Sequence, residues 1–354
     1  MKRTFGILLV VLAIGCAKTI YERVNNDVVK TFMTGVLSDI ADEVIAIPLE
    51  LPEGEFIEKV RSVRKEGNNL FLISNEVLYR FDKAGKFICR ITNPEEIQVA
   101  GYVVYQTKRE LIVLGNKDDI FYYSYDGVLL EKKKLKSDFQ HHQMSSVALY
   151  RDRIWSMEEY ASIDADTGSL RIEKAVVEYD TSFNKITTRS LSPVDLGRAQ
   201  FAQVYPIPRL AVADHSGMLY AYVPSTTDEY LLQDTLSLKN RWEDATRDAW
   251  QEQMVSLFPF CLGSRFWIAN YQQNGDQSLN YSYCYDFKND ISWQKSEGWR
   301  DDFYQTGMIN DLDSIDIYNH SYCFFKTGKE LETSFPDKEN ELQAVLFIVK
   351  IKQA

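Results

Sequence analysis

Histidine and cysteine are scarce in this chain, at four and five of 354 residues. After Cys16 come Cys89, Cys261, Cys284 and Cys323, none at the CxxC spacing of a metal knuckle. All but Cys261 sit in apolar, strand-like runs, so they read as small buried hydrophobes. His141 and His142 are adjacent, and neighbours on a strand point to opposite faces, which does not suit one metal ion. His215 and His320 stand alone in polar turns. There is no HExxH, P-loop, GxGxxG or serine nucleophile elbow. A basic surplus is missing too: Lys and Arg total 40 against 51 Asp and Glu, a net charge of -11. Phosphate backbones and anionic membranes therefore find little to hold, which excludes a nucleic-acid binder. No apolar run reaches the roughly 20 residues that span a bilayer.

The longest such run is Phe5 to Gly15, preceded by Lys2 and Arg3. That is the shape of a secretory signal. Leu12-Ala13-Ile14-Gly15-Cys16 resembles a bacterial lipobox, with Ala13 where Leu is usual. Residues 1–15 read as a leader, Cys16 as the lipid-bearing first residue of a mature lipoprotein, and residues 16–42 as a linker ending in a short helical or irregular stretch. Removing the leader takes the net charge from -11 to -13, so the anchor to the membrane is the lipid, not charge. No acidic run follows Cys16, which favours the outer membrane facing the periplasm over surface display.

The remaining residues, 43–354, repeat. Leu70-Phe71-Leu72-Ile73 and Val77-Leu78-Tyr79-Arg80-Phe81 are strand signals, and Asp82-Lys83-Ala84-Gly85-Lys86-Phe87 turns into a third. The grammar is an aromatic, Asp, a spacer, Gly or Asn, then a hydrophobic residue. Asp caps the turn, and Gly or Asn takes the positive φ of a tight hairpin. It returns at Tyr125-Asp126-Gly127, at Tyr179-Asp180 with Asn184, and at Tyr285-Asp286 with Asn289. Copies start near residues 70, 111, 153, 218, 266 and 322. Six such units predict an all-β, six-bladed β-propeller of four-stranded antiparallel blades. Closure needs a partner for the last strand, Val345 to Lys350. The strand Val44 to Leu49 is expected there as the outer strand of the last blade, where Pro48 is tolerated on an edge. Residues 239–258 read as a helical insertion, with Trp242, Ala245, Ala249 and Val255 on one face.

Ser38-Asp39-Ile40-Ala41-Asp42-Glu43 running into Ile47-Pro48-Leu49-Glu50 resembles the opening of the six-bladed β-propeller lipoproteins of the Bacteroidetes. Phe81-Asp82-Lys83-Ala84-Gly85-Lys86-Phe87 resembles their first-blade hairpin. The resemblance covers residues 38–135, and implies fold and address but little function. Members often carry a Gly-Pro-Gly-Glu-Tyr-like loop after that hairpin. Here Thr92-Asn93-Pro94-Glu95-Glu96 stands in its place.

Candidate chemistry is thin. Asp311, Asp313 and Asp316 have spacing that could hold Ca²⁺, but no Gly supplies the sharp turn, and a solvated loop is the simpler reading. Asp164-Ala165-Asp166-Thr167-Gly168 reads as a hairpin turn. Trp293 and Trp299, with Tyr271 in a polar loop nearby, are the candidate ligand platform. No cofactor is called for. The reading favours a non-catalytic module binding a glycan, a peptide or an envelope protein. The alternative is a hydrolase or lyase with a metal or acid/base site in the central channel.

Overall fold

The computed structural model describes residues 35–353 except 59, 116–118, 136–141, 164–165, 192–193, 199–208, 214–217, 224–227, 233–235, 242–253, 263–264, 274–279, 287, 290, 297, 310–311, 317–320, 333–334 and 336–343. Short apolar runs bounded by turn residues fold as antiparallel strands. The described residues open with a one-turn helix, α1 (Leu37–Ile40), and strand β1 (Ala41–Pro48). The first blade is β2 (Val60–Glu66), β3 (Asn69–Ser74), β4 (Val77–Asp82) and β5 (Phe87–Arg90). The second is β6 (Val99–Tyr105), β7 (Glu110–Gly115), β8 (Asp119–Ser124) and β9 (Leu129–Lys134). The third is β10 (His142–Tyr150), β11 (Arg153–Ile163), β12 (Ser169–Tyr179) and β13 (Lys185–Ser190), with β14 (Val194–Arg198) also on β12. The fourth is β15 (Arg209–Ala213), β16 (Met218–Val223), β17 (Asp228–Leu232) and β18 (Leu236–Arg241). The fifth is β19 (Met254–Leu262), β20 (Phe266–Gln273), β21 (Asn280–Asp286) and β22 (Ile291–Ser296). A small hairpin, β23 (Trp299–Asp301) and β24 (Gly307–Ile309), leads to β25 (Asp313–Asp316), β26 (Ser321–Thr327) and β27 (Ala344–Ile351).

The sixth blade runs β1-β27-β26-β25, so the earliest strand closes the ring on the last. Val44 pairs with Val349 and Pro48 with Val345, with Pro48 on the outer edge, as the sequence predicts. First strands of successive blades lie side by side, β25 by β2, β2 by β6, β6 by β10 and β10 by β15, so they surround the axis.

The cores lie between blades, which explains strands that are apolar on both faces. Leu70 and Leu72 enter the core shared with the sixth blade, beside Leu346 and Ile348. Phe71 and Ile73, on the opposite face, enter the core shared with the second blade, beside Leu111 and Val113. Each such side chain contributes about 1.5–3 kcal/mol on full burial.

The turn grammar has a physical basis. Asp82 Oδ1 accepts from the backbone N–H of Ala84 and Lys86, Asp180 Oδ1 from Ser182 and Asn184, and Asp286 Oδ1 from Lys288 and Asn289. In the second blade the cap is Ser124, whose Oγ accepts from Asp126 and Val128. The sequence reading aligns Asp126 with the caps. The structure instead sends Asp126 to Arg80, 2.7 Å away across the blade boundary.

Three expectations need correction. The helix over residues 239–258 is not formed at either end, because residues 239–241 belong to β18 and Met254 to Phe258 belong to β19. Cross-strand pairing with β17 and β20 outweighs the weak helical spacing. Trp242, Ala245 and Ala249 fall outside the described residues, and Val255 lies in β19. The linker ends earlier than residue 42: Leu37 and Ile40 are fully buried in the core between the fifth and sixth blades. Cys261, set apart from the apolar runs, lies in β19.

Candidate functional site

Four of the first strands carry a bulge, while β15 pairs regularly with β16. In β2, Arg61 pairs with Ile73 and Arg64 with Phe71, so Ser62 and Val63 oppose Leu72. In β6 the extra residue is Ala100, in β10 Ser145, and in β19 Val255. Four bulges thus stand within the first few residues of their strands, three of them on the neighbouring axial strands β2, β6 and β10, at the end of the axis where these strands start. A bulge frees backbone groups from the ladder and re-aims the strand, and bulges concentrate at rims and sites.

Side chains of neighbouring blades take up the freed groups. Arg61 of the first blade donates Nη1 to Ala100 O at 3.1 Å and Nη2 to Val99 O at 2.5 Å, both at the second-blade bulge. In return Tyr102 of the second blade places its hydroxyl 2.5 Å from Ser62 O and 2.8 Å from Phe71 O. With one proton to give, the hydroxyl serves one carbonyl at a time. Burial pushes the Tyr102 phenol far above its ordinary value, so it stays a donor. Ser62 is held at φ 53°, a left-handed conformation that costs a non-glycine residue energy.

The third blade adds a projection at this end of the axis. Its strands β11 and β12 have 11 residues each, against six in β3 and β4. The pairing continues to Ile163 opposite Leu170, and β14 flanks it through Ile172 and Val194. Ile163, near the tip, is 67% exposed.

Two sets of buried polar groups lie at the base of this hairpin. Glu158 is 1% exposed. Its carboxylate accepts from Ser156 Oγ at 2.8 Å, Tyr160 OH at 2.6 Å and Tyr179 OH. Burial, reinforced by Glu158, pushes the Tyr179 phenol far up. The carboxylate is thus taken up by three donors and acts as a fastener, not as an acid or base awaiting substrate. On the other face Lys174 Nζ stands 4.0 Å from Glu159 Oε1, too far for a hydrogen bond. That oxygen is buried with no hydrogen-bond partner among the described residues. Burial pushes the ammonium of Lys174 down to about 8, against the pull of Glu159, and pushes Glu159 up.

The residues picked from sequence do not gather here. Trp293 and Trp299, at 8% and 4% exposed, pack in the core with Phe266 and Phe347 and offer no open ring face. Their apolar area wins a place between blades five and six. Tyr271 lies in β20, paired with Leu257 and Tyr281, not in a loop. Asp313 and Asp316 lie on β25, also not in a loop, and Asp311 is outside the described residues. Ile315 between them is buried and seats the strand. Among the described residues no three His, Cys, Asp or Glu side chains group as metal ligands. Cys16, His141, His215, His320 and Asp164 are outside the described residues, and His142 lies in β10. Arg61, Tyr102, Glu158 and Lys174 are not picked out from sequence. The one signal is the polar Glu158-Glu159 pair inside the strand-like Trp155 to Tyr160 run.

The profile of a family described as a 6-bladed β-propeller matches residues 17–241. No curated protein matches the chain. Among solved structures, a Bacteroides fragilis NCTC 9343 protein assigned as exported is 15% identical, with a TM-score of 0.60, covering 92% of this chain and 98% of that one. At that identity the likeness is one of fold. A Bacteroides caccae protein of unknown function is 13% identical, with a TM-score of 0.40, covering 70% of this chain and 83% of that one. A luciferin-regenerating enzyme is 10% identical, with a TM-score of 0.48, covering 88% and 98%. Neither of these last two bears on function.

Proposed function

The chain belongs to the DUF5128 family of six-bladed β-propellers, and from that premise we propose that it is a non-catalytic binding module, tethered to an envelope membrane through an acyl chain on Cys16. Its ligand is a glycan, a peptide or an envelope protein, met at the bulged mouth of the channel. The observation that carries this reading is the third-blade hairpin, with its exposed Ile163, standing beside the bulged starts of β2, β6 and β10. Bulges there re-aim strands and free backbone groups, and exposed loops and hairpin ends on a rigid scaffold are common places for recognition. The address rests on the leader residues Lys2 to Cys16; the structural neighbour assigned as exported supports export alone.

The test is a glycan and peptide array probed with the mature chain and its Ile163→Asp variant. The reading expects ligands that the variant binds at least about tenfold more weakly, the factor that 1.4 kcal/mol represents. Turnover of any bound compound would replace it with the hydrolase or lyase alternative. The address is tested separately, by incorporation of a labelled fatty acid that Cys16→Ala abolishes.

A further inference from the structure

The segment ahead of the ring-closing strand is fastened to the β23–β24 hairpin, which stands outside the four-stranded blades. Arg300 N donates to Gly35 O at 2.9 Å, and Val36 forms a parallel bridge with Arg300. Ser38 donates from both N and Oγ to the Asp302 carboxylate, at 2.9 Å through the backbone. From the other side Lys352 donates Nζ to Ser38 O at 2.7 Å and its backbone N to Ile40 O at 2.9 Å. Leu37 and Ile40 are buried beside Trp299 and Ile309 of the β23–β24 hairpin. That hairpin is itself braced. Asp301 accepts from Phe303, Tyr304 and Thr306 backbone N–H and from Thr306 Oγ1, and Tyr304 OH reaches Val44 O at 3.3 Å.

These contacts have a mechanical consequence. β1 joins the ring through one antiparallel ladder, whose first rung is Ala41 with Ile351, and through the buried side chains of Val44 and Ile47. A pull on the chain ahead of Ala41 would open that ladder rung by rung from this end. We propose that residues 35–40 are a clasp that passes such a pull to the β23–β24 hairpin and Lys352 before it reaches β1. This rests on the reading that the N-terminal side leads to a membrane anchor. A tethered propeller gains from such a device, because no covalent link closes its ring at that seam, only the β1–β27 ladder and the packing of Val44 and Ile47.

Single-molecule pulling tests it on the mature chain. One handle is fixed at Arg171→azidophenylalanine in the third blade, and the other either at residue 17 or at Glu43→azidophenylalanine, which bypasses the clasp. We expect a higher first-rupture force from residue 17 than from residue 43. Asp302→Ala should lower the former toward the latter, the Arg300, Lys352 and core contacts remaining, and leave the latter unchanged. Ser38→Ala, a milder change, should lower it partway. Equal forces from both handles, or an equal drop in both with Asp302→Ala, would overturn the clasp. A chain that takes up no fatty acid would refute the anchoring reading while leaving these forces as they are.

Discussion

Gly85 lies directly against Pro48: a Cβ on Gly85 would fall 1.9 Å from the Pro48 carbonyl oxygen. The contact joins the end of the ring-closing strand to the first-blade turn, and Glu50 N–H then donates to Gly85 O at 2.8 Å. The pattern recurs one blade on, where a Cβ on Gly127 would fall 2.8 Å from Arg90 O. The outer strand of each of these blades thus ends against the turn of the next, and the turn has no room for a side chain.

Gly85→Ala is expected to destabilise more than Gly168→Ala. Both glycines have positive φ, 92° and 68°, a conformation costing a non-glycine residue about 1–3 kcal/mol. Gly168 has nothing within 4 Å of its built Cβ, so only Gly85 adds a backbone clash. Urea unfolding of both variants checks this, and equal costs would contradict it.

Glu158→Ala should cost about 3 kcal/mol or more, because it leaves the hydroxyls of Ser156, Tyr160 and Tyr179 without their acceptor in a buried interface. Tyr179→Phe removes one donor and should cost about 1.5 kcal/mol. Denaturant midpoints measure both. The hairpin that Glu158 anchors should also gain hydrogen exchange.

The Lys174–Glu159 pair makes stability depend on pH in two windows. Lys174, at about 8, lies below its ordinary 10.5. Between those values the unfolded chain holds more protons, so stability rises with pH there. Glu159 is raised. As pH climbs from the ordinary carboxylate range through its raised value, the folded state holds more protons, so stability falls. Lys174→Met should erase the alkaline rise and Glu159→Gln the acid-side fall, read from urea midpoints across pH. The double variant Lys174→Met with Glu159→Leu should match or exceed wild-type stability near neutral pH, since apolar packing replaces an ill-matched buried pair.

Trp293→Ala and Trp299→Ala should each lose about 3–5 kcal/mol of stability, the usual cost of emptying a buried aromatic site. A thermal melt that barely moves, with binding lost, would restore them as a ligand platform.

Sequence pattern revealed the second and third strands of each blade because they are apolar on both faces, as in Leu70 to Ile73. The closing strand was legible for the same reason, with Pro48 marking its edge. The first strands were not. In β2 only Val63 is fully buried among Arg61, Ser62, Arg64 and Lys65, so no period of two survives. Bulges are a property of pairing and leave no mark on one strand read alone. The burial of Trp293 and Trp299 is not legible, because a polar stretch between two aromatics looks alike whether the rings face solvent or a core. Ser124 shows the opposite failure: it caps as Asp does, but the Asp126 two places on resembled the motif more closely.

The central claim is that ligand meets the bulged mouth and not the outer wall. A photo-crosslinking residue placed at Ala100, on the rim, and separately at Ile88, exposed on the outer strand β5, decides it in an intact envelope fraction. The account predicts a discrete adduct from position 100, lost when Ile163→Asp is added, and none from position 88. Adducts from position 88 alone, or from both positions regardless of Ile163, would contradict it.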